Sequence, residues 1–174
     1  MNQFTEPSFS KVDFGENFVW GVATAAFQVE GAATADGRAP SIWDIFCEKE
    51  GAIADGSNGL IACDHYNRLE EDLDHIASLG VNAYRFSVSW SRVQPLGDGA
   101  WNEKGFAFYD RLISGLEQRG IQPHLTLFHW DLPQALDDRG GWLSNDILDC
   151  FVFYAREVCR RFGHRLASIC TFNE

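Results

Sequence analysis

The sequence predicts an α/β fold in which short strands alternate with amphipathic helices. Three observations carry this expectation. Four short apolar runs with strand character occur along the 174 residues. Between them lie stretches whose apolar residues recur every three or four positions, the spacing of one helix face. Two of those stretches run into glycine, at Gly80 and Gly120, where a helix stops. The order strand, helix, strand, helix, strand, helix, strand implies right-handed crossovers and a parallel sheet. An open doubly wound sheet and half of an eight-stranded barrel both satisfy that order.

Residues 1–16 are polar and read as a loosely ordered lead-in. Phe18 to Val22 form the first strand, and the small-residue stretch Ala23 to Glu30 turns briefly helical before Gly31. Asp36 to Pro40 is a turn cluster, Ser41 caps a short turn containing Trp43 and Phe46, and Gly51 to Gly59 is loop by composition. Asp64 caps the first full helix, whose apolar face is Leu69, Leu73, Ile76 and Leu79. Val81 to Trp90 gives the second strand. Asn102 opens the second full helix, with Phe106, Tyr109, Leu112, Ile113 and Leu116 on one side. Gln122 to Phe128 is the third strand, and His129 to Trp142 a long irregular loop. Ser144 begins the third helix, with Ile147, Phe151, Tyr154, Ala155, Val158 and Phe162 on its buried side. Ile169 to Phe172 is the fourth strand.

Composition excludes several classes of function. A net charge of −11 argues against a nucleic acid or an anionic membrane surface as partner. No apolar run reaches the length of a membrane span, and Met1 to Gly15 lacks a signal-peptide core. The five cysteines, Cys47, Cys63, Cys150, Cys159 and Cys170, form no CxxC pair, so reduced thiols in a cytoplasmic protein are expected rather than a metal site. Neither GxGxxG nor a P-loop follows the first strand, and no cofactor is implied.

The strand ends carry the polar chemistry. Gln28 follows the first strand. Arg85 lies in the second, which ends at Ser89 and Trp90. His129, Trp130 and Asp131 end the third, and Asn173 and Glu174 end the fourth. In barrels of this order the catalytic groups sit at the C-terminal ends of strands. A Glu beside an amide that donates to a hydroxyl is the layout of a general acid for sugar chemistry. Each residue has a plain alternative: Gln28 as a helix cap, Arg85 as an ion-pair partner, His129 as a core histidine bonded to backbone. Together they fall at one end of the sheet, a ring of donors and acceptors with a Trp wall that a pyranose would need.

The strings FVWGVATAAFQVEGA, DGRAPSIWDIF, CDHYNRLEEDLDHIASLGVNAYRFSVSWSRVQP, LTLFHWDLPQAL, GGWL and TFNE, in that order, closely resemble the N-terminal half of glycoside hydrolase family 1, the β-glucosidase family. The resemblance covers about residues 14–174. It implies the N-terminal half of a (β/α)8 TIM barrel, about four strands and three full helices, with residues 1–174 a partial glycosidase domain whose C-terminal half is absent. It implies retaining hydrolysis of terminal β-linked glucosides. By position, Gln28, His129 and Asn173 match residues that hold sugar hydroxyls, and Trp130 matches a residue lining that subsite. Glu174 matches the acid/base and Arg85 an arginine beside the nucleophile. The family usually has Trp where this chain has Ile169, inside the strand, a packing variation. The nucleophile lies in the family's C-terminal half, so these residues alone are expected to be inactive. A half barrel that binds sugar or a partner without turnover, and a 6-phospho-β-glycosidase, are the rival readings. The aglycone and the oligomeric state leave no mark in the sequence.

Overall fold

In the computed structural model, which describes residues 9–174, four strands form one sheet: β1 (Gly21–Ala23), β2 (Ala83–Ser87), β3 (Gln122–Phe128) and β4 (Ser168–Phe172). Their spatial order is β1-β2-β3-β4 and every neighbouring pair is parallel. Among the described residues seven α-helices accompany them: α1 (Ala26–Val29), α2 (Ile42–Glu48), α3 (Leu69–Ser78), α4 (Trp90–Val93), α5 (Glu103–Gln118), α6 (Gln134–Asp137) and α7 (Asp146–Phe162). The three long ones, α3, α5 and α7, are the crossovers, and the unit is four consecutive strands of a barrel.

Several boundaries differ from expectation for local reasons. Part of the expected lead-in, residues 1–8, lies outside the described residues. Lys11–Phe14 is a 3-10 turn rather than loose chain, because Asp13 accepts from both the backbone N–H and the hydroxyl of Ser10. Asp64 does not cap α3. Its φ of 58° is left-handed, it belongs to a turn whose carbonyl takes the Arg68 N–H, and the helix starts at Leu69. Leu79, expected on the apolar face, is exposed at the end of α3. The second strand stops at Ser87, since Ser89 to Gln94 turns into α4. Ser144 precedes α7 by two residues, after a 3-10 turn at Gly141–Leu143. Ser41 does cap α2, in a box with Asp44 that also receives Arg38 at 2.7 Å.

The core lies between the sheet and its helices. Tyr84, Phe86 and Val88 from the second strand region and Leu125 and Leu127 from β3 meet Leu69 and Leu73 of α3, Leu112, Ile113 and Leu116 of α5, and Tyr154 and Val158 of α7. Burying one such side chain stabilises the fold by about 1.5–3 kcal/mol. Gly115 lets α3 and α5 approach: a Cβ there would stand 2.3 Å from Leu73 Cδ1. Tyr154 stacks on Trp90 with centroids 4.6 Å apart and donates to the Leu127 carbonyl at 2.7 Å, tying α7 to α4 and β3. The opposite face of the sheet is polar. There Arg85, His124, Thr126 and Ser168 line up, with His124 Nδ1 and Ser168 Oγ 2.7 Å apart.

Candidate active site

The site is assembled at the C-terminal ends of β2, β3 and β4. Register places Arg85 beside His124 and Thr126 beside Cys170, so the arginine side chain runs along the polar face toward the strand tips. Its Nε donates to Thr126 Oγ1 at 2.9 Å and its Nη2 to Asn173 Oδ1 at 2.6 Å. The Asn173 backbone is fixed on both sides: its N–H donates to the Phe128 carbonyl at 3.0 Å, and its carbonyl accepts from Trp130 Nε1 at 3.0 Å. The amide oxygen of Asn173 is occupied, so its NH2 is the group left to donate. Glu174 follows directly and is exposed.

His129 and Trp130 come from the end of β3. Trp130 is held at φ 75°, a left-handed conformation unusual for a bulky residue, and is 45% exposed. Both termini of its bend are pinned, by the Phe128–Asn173 bond and by its own indole N–H. His129 is half-buried and its Nδ1 has no partner. Burial, and secondarily the Arg85 charge, lower its pKa, against a smaller opposing pull from Glu174. It is therefore neutral at neutral pH, with one ring nitrogen to donate and one to accept. Gln28 lies within α1, exposed at the end of β1, and is not joined to the others by any side-chain hydrogen bond.

Sequence reasoning missed the layer beneath. Two residues past Gln28, Glu30 is buried and accepts from Arg92 Nε at 2.8 Å and from the Tyr109 hydroxyl. Arg92, 1% exposed, also donates to the Gly31 carbonyl and lies over the Tyr66 ring at 4.3 Å. The Tyr109 hydroxyl accepts from the Ser89 N–H at 2.7 Å. Burial drives the Tyr109 pKa well up, and Glu30 adds to it. Two residues past His129, Asp131 is 1% exposed and neither carboxyl oxygen has a hydrogen-bond partner. Burial first, then Glu30, push its pKa up to about 8. Arg38 and the near approach of Ser89, outside hydrogen-bonding geometry, pull the other way. Asp131 is thus protonated at neutral pH. The sequence signal for this layer was Arg92 set inside the apolar turn WSRV, a charge that needs a buried partner.

Ile169 pairs with Leu125 in the ladder, a residue of the helix-facing side, and so stands apart from Arg85 and Asn173. No group of three or more His, Cys, Asp or Glu side chains among the described residues could hold a metal ion. None of the helices described is long and apolar enough to cross a membrane.

Residues 10–174 match the family model described as Glycosyl hydrolase family 1. The chain is 53% identical over 170 residues to a β-glucosidase of Agrobacterium sp. (strain ATCC 21400), an alignment covering 98% of this chain and 37% of that protein. Its fold superposes on the virulence factor SghA of Agrobacterium tumefaciens, solved with its substrate analogue salicin. There the TM-score is 0.88 and the identity 54%, over 90% of this chain and 35% of the other. A Thermotoga maritima β-glucosidase in complex with castanospermine gives a TM-score of 0.89 at 49% identity, over 91% and 36%. The chain therefore spans little more than a third of the length of the relatives it matches.

Proposed function

Because the chain belongs to glycosyl hydrolase family 1, we propose that residues 1–174 carry the acid/base part of a retaining β-glucosidase acting on terminal β-linked glucosides. The observation that supports this best is the 2.6 Å bond from Arg85 to Asn173 Oδ1. It orients the Asn173 amide so that its NH2 is offered to a sugar hydroxyl beside Glu174. A donor aimed at the 2-hydroxyl strengthens its bond as the ring approaches an oxocarbenium ion. Neutral His129 and Gln28 hold further hydroxyls, and the half-exposed Trp130 face makes the wall of the subsite. Glu174 protonates the departing oxygen and then takes a proton from the attacking water.

Retention requires a second carboxylate about 5–5.5 Å from the first. Arg85, which the family resemblance places beside that nucleophile, donates among the described residues to Thr126 and Asn173. We assign the nucleophile to a segment outside these residues, with residues 1–174 a partial barrel domain. The five free thiols fit a cytoplasmic setting.

The test uses two proteins. The purified chain should turn over an aryl β-glucoside no faster than its Glu174→Gln variant. A chimera joins residues 1–174 to the C-terminal remainder of the Agrobacterium β-glucosidase. In it, Glu174→Gln should cost far more in kcat/KM for cellobiose than for a dinitrophenyl β-glucoside, whose leaving group needs no proton. Azide should restore turnover of the latter, with a β-configured product. Equal losses on both substrates and no azide rescue would remove Glu174 from the acid/base role.

A further inference from the structure

Trp130 and Asp131 lie between two fixed points of the chain. Before them, the Phe128 carbonyl accepts the Asn173 N–H at 3.0 Å; after them, the Leu132 carbonyl accepts the Ile42 N–H at 2.8 Å. The Gln134 N–H donates to the Pro40 carbonyl at 3.0 Å, so the far end is held twice. Between these points the chain makes its left-handed bend at Trp130. His129 is half-buried and Trp130 exposed, while the next residue, Asp131, is 1% exposed. A bulky residue at positive φ persists only where its surroundings hold it there.

Asp131 enters a junction of elements. Glu30 behind α1, Arg38 ahead of α2, Ser89 ahead of α4 and Tyr154 of α7 face it. The charges among them are already matched: Glu30 holds Arg92 at 2.8 Å, and Arg38 holds Asp44 at 2.7 Å. The Tyr154 hydroxyl donates to the Leu127 carbonyl. Neither oxygen of Asp131 has a hydrogen-bond partner. A carboxylate here would be a buried charge with no counterion, so the packed arrangement accepts the acid and not its anion. Loss of the proton would draw the carboxyl toward water. The segment it would carry along is 129–131, since the residues on either side are bonded to other elements.

We propose that Asp131 is a positioning residue: its buried carboxyl, seated beneath the site, holds the Trp130 bend, and through it the His129 ring and the Trp130 face, in the geometry that receives a sugar. The purpose rests on the sugar-binding reading of His129 and Trp130, whereas the coupling of Asp131 to the bend is a property of the fold. Asp131 itself touches no substrate. Burial raises its pKa to about 8, so the carboxyl stays neutral and the bend stays held through neutral pH. Above about pH 8 the acid ionises and the hold is released.

Fluorine resonances of the chain labelled with fluorotryptophan report the bend. Trp130→Phe identifies the Trp130 resonance among the six tryptophans. On raising the pH through the alkaline range that resonance should move with a midpoint of about 8, the value for Asp131. Asp131→Asn, which keeps the shape without the acid, should leave it flat. If that variant does not fold, the Asp131 carboxyl carbon resonance of the unmodified chain supplies the second reading, and its midpoint should coincide with that of Trp130. In the chimera, a dinitrophenyl β-glucoside needs no proton from Glu174 in the step that kcat/KM reports. There kcat/KM should fall about tenfold over the first pH unit above the Asp131 midpoint, and Asp131→Asn should keep its neutral-pH value. A Trp130 resonance that does not titrate, one that titrates alike in Asp131→Asn, midpoints that do not coincide, or equal falls in kcat/KM for both proteins would each overturn the proposal. An inactive chimera would bear on the glucosidase reading alone, with the two resonances deciding this one.

Discussion

The Glu30–Arg92–Tyr109 cluster and the Arg85–Asn173 pair each tie an arginine to a partner on another element, yet their surroundings are opposite. Arg92 is 1% exposed, and its guanidinium meets a carboxylate, a carbonyl and an aromatic face. Arg85 is half-buried, and its partners are two neutral oxygens, Thr126 Oγ1 and Asn173 Oδ1. The first arrangement neutralises a charge that water cannot reach. The second leaves a cation uncompensated where a substrate or another carboxylate can arrive. The lesson is a division of labour two residues apart. Gln28 and His129 stay at the opening, while Glu30 and Asp131 turn inward beneath them.

Mutations that exchange these roles should test the division, and the largest effect is expected beneath the site. Arg92→Met removes the cation and leaves Glu30 buried. Urea unfolding should show a loss of about 3–5 kcal/mol, or a chain that does not fold. A loss below about 1 kcal/mol would mean that the cluster is wetter than its geometry implies.

Asp131 should give the opposite sign. Its carboxyl is protonated in the fold up to about pH 8, whereas the unfolded chain releases the proton near the ordinary carboxylate value of about 4. Between those values the folded state binds more protons, so this group makes stability fall as pH rises, and the trend flattens above about pH 8. Asp131→Asn should abolish that slope and stabilise the chain at pH 8 by an amount on the order of a few kcal/mol. Unfolding midpoints of both proteins from pH 5 to pH 9 check this, and parallel curves would refute it.

At the opening, Asn173→Ala should lower stability by only about 1 kcal/mol, one hydrogen bond on a half-exposed site. In the chimera the same change should reduce kcat/KM by a few kcal/mol of transition-state binding. Comparable losses in both assays would make Asn173 a structural residue. The smallest effect is expected on the helix surface. Glu103→Gln breaks the pair with Arg161 between α5 and α7 and should cost about 0.2–1 kcal/mol, less at high salt.

Much of this was legible in the residues. The alternation of strands and helices, the extent of β3 and the buried face of α7 follow from periodicity, because the same residues that repeat are those that pack. That His129, Trp130 and Asn173 stand at strand ends was legible in the change from apolar to polar residues, and the bonds of Arg85 and Trp130 to Asn173 place these groups together. What escaped was set by tertiary contact. Leu79 fits the helical period but falls where α3 has already left the sheet. Asp64 has the chemistry of a cap but sits in a left-handed turn. Asp131 reads as one more polar residue in a loop, and only the packing around it makes it a neutral acid. Gln28 was singled out by position alone, and among the described residues no side-chain hydrogen bond joins it to Arg85 or Asn173.

The contact of Gly115 with Leu73 has a consequence on the scale of descent rather than of folding. Glycine inside a helix is a weak choice, costing roughly 0.5–1 kcal/mol against alanine. At position 115 a new methyl would stand 2.3 Å from Leu73 Cδ1, the far end of a side chain that can turn aside, so the exchange is open provided Leu73 repacks. The gain in helix propensity is set against the packing that Leu73 gives up in moving, so a change at one position alters what the other can accept.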